Sequence, residues 1–170
     1  MSELNRRNSD GSQNNHLVLQ LDWLRILVPQ KHIRVLELST DMDTQGAPMG
    51  AVGMIPVAGE SLAVYHLPPE LDRLAGGTAV RKICAVMVAT DGEHYGLLCD
   101  EVALLDDPFL ELREVPAALR QLDSPVEGLI LHGGELLCVS SADSVLRLIQ
   151  TLKDRSPALY RSEAVRSWRR

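Results

Sequence analysis

The chain has 170 residues, 45% apolar and 24% charged, with a formal charge of −6, enough to bury the core of one soluble domain without metals or disulfides. Two Trp, three Tyr and one Phe are too few for a base-stacking platform, and the negative charge argues against a phosphate-backbone binder, so nucleic acid is not an expected partner. No apolar run approaches the roughly eighteen residues of a membrane span, so direct membrane insertion is not expected.

In chain order, residues 1–15 are polar and rich in Asn and Ser, with no signal-peptide core. They predict a disordered tail ahead of a domain over 16–152. From His16 onward, short runs rich in Val, Ile and Leu alternate with Gly, Pro and Asp clusters. The runs are Leu17–Leu21, Leu24–Val28, Ile33–Leu38, Val52–Val57, Leu62–Tyr65, Ile83–Ala89, Tyr95–Cys99, Val102–Leu105, Leu129–Leu131 and Leu136–Val139. Each predicts a strand. Their close spacing, without helical inserts, points to barrels or sandwiches rather than a doubly wound fold. Residues 39–50 and 68–78 read as loops.

Helices are few. Pro116–Leu122 offers one short turn. A firmer helix begins near Ser141, where Val145, Leu146, Ile149 and Leu152 form an apolar stripe and Ser141 and Ser144 supply capping oxygens. Cys84, Cys99 and Cys138 each sit in an apolar run and cannot all pair. They predict buried free thiols in a reducing, cytoplasmic setting.

Charge is unevenly spread. Residues 16–152 hold nine bases against nineteen acids, near −10, whereas 153–170 hold six bases against two acids, near +4. In that basic C-terminal tail Tyr160, Ala164 and Trp168 are spaced four apart among arginines. The spacing fits an amphipathic segment docking on an acidic partner or on the body's own acids, with Trp168 as anchor; the simpler reading is a solvated end.

One repeat is present. Gly53, Met54, Ile55, Gly59, Glu60, Leu62 and Val64 recur seventy-five residues later as Gly128, Leu129, Ile130, Gly134, Glu135, Leu137 and Val139. Each copy reads as a hairpin around a Gly-Glu turn. A weaker echo, Ile33-x-Val35-Leu36 against Val102-x-Leu104-Leu105, precedes each. Two copies of a short-stranded unit predict two similar barrels related by a pseudo-two-fold axis.

No Gly-x-Ser-x-Gly, phosphate loop, His-Glu-x-x-His or Cys-x-x-Cys pattern occurs in the sequence. The five histidines are dispersed, and His66 and His94 flank strand-like runs. Asp91-Gly92 reads as a hairpin turn rather than an acidic site. No enzyme, cofactor or metal is indicated; such a body acts by presenting surfaces.

At the repeat, the run Gly53–Leu67 resembles the CheW-like family's Gly-Leu-Ile-Asn-Leu-Arg-Gly-x-x-x-Pro-Val-x-Asp-Leu segment, and Tyr95–Val102 resembles its Gly-Leu-x-Val-Asp-x-Val segment. Leu17–Leu21 with Ile33–Leu38 is similar to the family's opening strands. Val126–Val139 and the helix after it are similar to its closing hairpin and helix. The resemblance spans about 16–152. It implies two intertwined five-stranded SH3-like barrels with a short C-terminal helix, in a non-enzymatic adaptor that couples the cytoplasmic tips of chemoreceptors to the regulatory domain of a CheA-type histidine kinase, with weak self-association open.

The sequence departs from the family pattern at Pro56, Ala58, Ala63 and His66, which stand at its Asn, Arg, Pro and Asp positions. The charges at two of them are lost, and Ala58 has no side-chain donor for a receptor. These departures imply a divergent member, for which pilus or surface-motility signalling is a natural home. The positions expected to contact partners are Ile33, Leu36, Ala58, Val102, Leu105 and Trp168. Ile33, Leu36, Val102 and Leu105 read equally as barrel core, because alternate strand residues face opposite ways. The competing function is a small-molecule sensor using the inter-barrel groove, with His66 or His94 as a polar contact.

Overall fold

A computed structural model describes residues 15–21, 24–67, 82–107, 109–117, 120 and 124–155. Within them each of the ten apolar runs forms a strand: β1 (His16–Leu21), β2 (Leu24–Pro29), β3 (Ile33–Leu38), β4 (Gly53–Val57), β5 (Glu60–Tyr65), β6 (Ile83–Val88), β7 (His94–Cys99), β8 (Glu101–Leu105), β9 (Gly128–His132) and β10 (Glu135–Val139). The helix α1 covers Ala142–Arg155. The predicted loop at 39–50 opens with a 3₁₀ turn, Ser39–Asp41. The loop at 68–78, most of the turn at 116–122, both tails beyond 14 and 155, and Trp168 lie outside the described residues.

The strands form two five-stranded sheets. One is built from a continuous stretch of chain in the order β3-β6-β7-β5-β4, the other discontinuously as β8-β1-β2-β10-β9. The chain thus runs hairpin, triplet, hairpin, triplet, and each hairpin pairs with the triplet of the other half. In both sheets the hairpin's second strand lies parallel to the triplet's last, β7 beside β5 and β2 beside β10; the remaining pairs are antiparallel. This exchange makes the two halves intertwined.

Burial explains the arrangement. β6 and β7 are apolar without alternation because both faces are covered. Cys84, Val86 and Leu98 face inward among Ile55, Val57, Leu62 and Val64, and Val35 of the opposite edge strand joins the same cluster. The continuous sheet therefore closes around its own core. The discontinuous sheet does the same around Leu27, Ile130 and Leu137, with Val18 and Leu105 packed against them. The outward faces of both hairpins meet in a third cluster, where Leu19, Ile26 and Val28 pack with Ala85, Met87, Tyr95 and Leu97.

The stripe of α1, Ala142, Val145, Leu146 and Ile149, seals that central cluster. Ser141 caps the helix, its Oγ accepting from the Ser144 N–H at 3.2 Å. Asp143 accepts from the Thr90 N–H at 3.0 Å and the Thr90 hydroxyl at 2.8 Å, tying the helix to the β6–β7 turn. The buried Tyr95 hydroxyl donates to the Ala142 carbonyl at 2.7 Å. At the other end, Lys153 Nζ lies 2.9 Å from the Tyr65 hydroxyl and 4.2 Å from its ring centroid.

Candidate functional site

β3 and β8 hold equivalent places. Each pairs on one side only, with the first strand of a hairpin, β6 and β1 respectively. On β3 a bulge between Ile33 and Val35 resets the register, so that Ile33 pairs with Met87 and Leu36 with Ala85. Met87 and Ala85 share a face, and so do Ile33 and Leu36. Ile33 packs against the central core, while Leu36 is 44% and Leu38 60% exposed. Val35 turns into the continuous sheet's own core.

β8 is regular. Val102 pairs with Leu19 and Leu104 with Leu17, which places both on the central face. Val102 packs on that core and Leu104, 59% exposed, continues beyond it. Leu105 faces the other way, against the discontinuous sheet's core. The structure therefore brings Ile33 and Leu36 together on one face and separates Val102 from Leu105. Leu104 is the counterpart of Leu36.

Ala58 sits exposed in the β4–β5 turn with φ +48°, followed by Gly59 at +85°. The matched turn of the second copy is Gly133-Gly134, at +58° and +82°. Ala58 belongs to the same end of the sheet as β3: Glu60, two residues on, lies 3.5 Å from Arg34 Nη1, which donates to His94 Nδ1 at 3.0 Å. His94 Nδ1 is also 3.7 Å from the Glu60 carboxylate. In the other sheet, Arg25 takes the place of His94 and Glu135 that of Glu60. They form an ion pair, with Arg25 Nε donating to Gln20 Oε1 at 2.6 Å. One turn-and-strand corner is thus built twice from charged side chains.

The β5–β7 register pairs Tyr65 with Leu97, so His66 follows at the far end of the strand pair from His94. The two do not form one polar site. Among the described residues no three His, Cys, Asp or Glu side chains could hold a metal ion, and no helix is long and apolar enough to cross a membrane. Burial, with Glu37 adding to it, pushes the Cys84 thiol up to about 12. Burial also raises the Cys138 thiol and the Tyr95 hydroxyl. These groups stay protonated and unreactive at neutral pH.

Sequence reasoning missed Leu38 and Leu104 as exposed strand residues, and with them Phe109, Leu112, Leu131 and Leu136. Leu38, Leu104, Leu131 and Leu136 lie in runs that look like core, whereas Phe109 and Leu112 fall between two such runs. Which side of a strand is wet depends on pairing register and, on β3, on a bulge, neither of which leaves a local signature.

No family model and no curated protein matches the chain. Among solved structures it is similar to the scaffolding protein TtCheW from Thermoanaerobacter tengcongensis. The TM-score is 0.58 and the identity 14%, over 82% of this chain and 91% of that one. The fold is CheW-like. The mainly β, two-sheet architecture with a C-terminal helix implied by the sequence resemblance is the observed one.

Proposed function

We propose that the protein is a non-enzymatic, cytoplasmic adaptor in a bacterial chemosensory system, of the chemotaxis or the pilus and surface-motility type. It couples chemoreceptor cytoplasmic tips to the regulatory domain of a CheA-type histidine kinase. The observation that carries this reading is the pair of equivalent edge strands in a CheW-like fold, each leaving a large leucine uncovered beside the central core, Leu36 on β3 and Leu104 on β8. An adaptor must hold two partners at once, and a body with two similar but non-identical edges offers two such places. The four ordered sequence resemblances and the structural likeness to a protein named as a scaffold point the same way.

The energetics are of the right size. Covering one exposed leucine contributes about 1.5–3 kcal/mol, and an edge strand adds unpaired backbone groups for a partner to meet. Two or three such contacts contribute about 3–9 kcal/mol before the cost of association is subtracted, the scale of weak, reversible signalling contacts. The acidic body, nine bases to nineteen acids over 16–152, favours partners with basic faces.

Co-purification with the cognate kinase regulatory domain and with receptor-tip fragments tests the proposal. Binding to both at micromolar concentration is expected. No binding to either overturns it.

A further inference from the structure

Among the described residues the discontinuous sheet has the smaller buried core, a cluster of three side chains against eight in the continuous sheet. It also carries Leu104, Phe109, Leu112, Leu131 and Leu136, five of the eight large apolar side chains exposed among the described residues. Phe109, 86% exposed, is the chain's single phenylalanine. Edge strands β8 and β9 do not pair with each other. Along their seam lie two depressions of about 220 and 160 Å³, adjoining where His132 Nδ1 meets Asp107 Oδ2 at 3.3 Å. Leu105, Leu137 and Leu110 line them. Their charged residues are Glu101, Asp107, Glu111 and Glu135 against Arg25 and Arg113. The larger depression is mainly apolar and the smaller one mainly polar, with carboxylates outnumbering arginines around both, so the seam fits a segment that is apolar and basic.

The chain carries one such segment. Residues 156–170 include Leu159, Tyr160, Val165 and Trp168 among four arginines and a single glutamate. They follow α1, which ends at Arg155. Fifteen residues extend up to about 50 Å, more than the breadth of a domain of this size, for which the radius of gyration is roughly 15 Å. Much of the body's surface is therefore within reach, and a tether of this length supplies a millimolar effective concentration. No second chain is required.

We infer that residues 156–170 dock on their own chain, over the seam between β8 and β9, with Trp168 as the apolar anchor and the arginines against the surrounding carboxylates. The docked segment covers Leu104. It therefore competes with any partner that uses β8, and a partner binding there must displace it.

The test uses the full chain with Trp23→Phe, which leaves Trp168 as the sole tryptophan. Its emission should be blue-shifted, and its quenching by acrylamide at least about threefold weaker than in a free peptide of residues 156–170. Glu101→Lys with Glu135→Lys, Leu104→Ser, or 1 M salt should each restore peptide-like quenching, whereas Leu38→Ser on the other sheet should not. Protection should be unchanged on hundredfold dilution. Hydrogen exchange on the otherwise unaltered chain is the second readout: Trp168→Ala should speed exchange in 101–105 and 128–137 several-fold and leave 83–99 unchanged. Peptide-like quenching in the parent chain, equal protection in Leu104→Ser and Leu38→Ser, or protection lost on dilution would each overturn the inference, the last by assigning the contact to a second copy. None of these readouts involves kinase or receptor, so the inference fails or stands independently of the adaptor reading.

Discussion

Gly53 and Gly128, seventy-five residues apart, are required for the same reason. A side chain on Gly53 would strike Met42 and the Asp43 carbonyl, and one on Gly128 would strike Leu112 and crowd the Arg113 carbonyl. The clashing residues flank matching bridges. Asp43 and Met54 exchange backbone bonds of 2.8 and 2.7 Å, and Arg113 and Leu129 exchange bonds of 2.8 and 2.9 Å. The two alanine substitutions should nevertheless differ. A Cβ on Gly53 lies 2.9 Å from a backbone oxygen, whereas on Gly128 the backbone oxygen is 3.3 Å away and the obstacle is the exposed, movable Leu112 side chain. Gly53→Ala should cost about 2–3 kcal/mol and Gly128→Ala about 1 kcal/mol, read by urea denaturation. Equal losses would contradict this account.

The β4–β5 turn holds a correctable strain. Ala58 adopts φ +48°, a region that costs a non-glycine residue about 1–2 kcal/mol, while the twin turn uses glycine at both positions. Ala58→Gly should stabilise the fold by about 0.5–1 kcal/mol once the greater freedom of glycine in the unfolded chain is subtracted. Thermal denaturation would show a rise of a few degrees. Ala58→Arg, which restores the charge of the family pattern, should not bring that gain.

The strands were legible because each is a short Val, Ile and Leu run between turn residues, and the repeat of Gly53–Val64 at Gly128–Val139 announced the duplication. Pairing was another matter. Nothing in Leu136–Val139 says that it lies parallel to Leu24–Pro29, more than a hundred residues earlier, because that contact depends on the exchange of hairpins between halves. The candidate edge residues were half legible. Ile33, Leu36 and Val102 lie on the central face, but the adjacent Leu104 and Leu105 could be sorted only by knowing that β8 pairs with β1 in the register His16 to Leu105.

His32 makes stability depend on pH in a definite direction. Its Nδ1 accepts from the Ala142 N–H at 3.4 Å, at the start of α1. Burial, aided by Lys31, holds its pKa below the ordinary 6.5, against the opposing pull of Asp143 and Glu127. A depressed folded-state pKa means the unfolded chain takes up the proton first, so this contribution is complete above pH 6.5 and is lost as pH falls below it. Stability should decline between pH 7 and pH 5, and His32→Gln, which keeps an acceptor without titrating, should flatten that slope. Asp143 acts lower on the scale. The Thr90 hydrogen bonds hold its carboxyl below 3.8, so its contribution is lost only as pH drops through the acidic range. A slope unchanged in His32→Gln would remove the histidine from the account.

The edges of the two sheets should separate folding from binding. Leu36 is 44% and Leu104 59% exposed, so Leu36→Ser and Leu104→Ser should alter stability by no more than about 1 kcal/mol. Their neighbours on the same faces, Ile33 and Val102, pack against the central core, so Ile33→Ala and Val102→Ala should each cost about 1–3 kcal/mol. Against partners the order reverses. Each serine variant should weaken one partner, kinase regulatory domain or receptor tip, by about 10- to 100-fold and leave the other within about threefold, because an uncovered leucine contributes about 1.5–3 kcal/mol when a partner buries it. Calorimetric titration of both fragments against both variants gives the pattern directly. If the two variants weaken the same partner alike, β3 and β8 form a single docking face and the two-edge adaptor is wrong. If neither affects any affinity, contact lies elsewhere on the acidic surface.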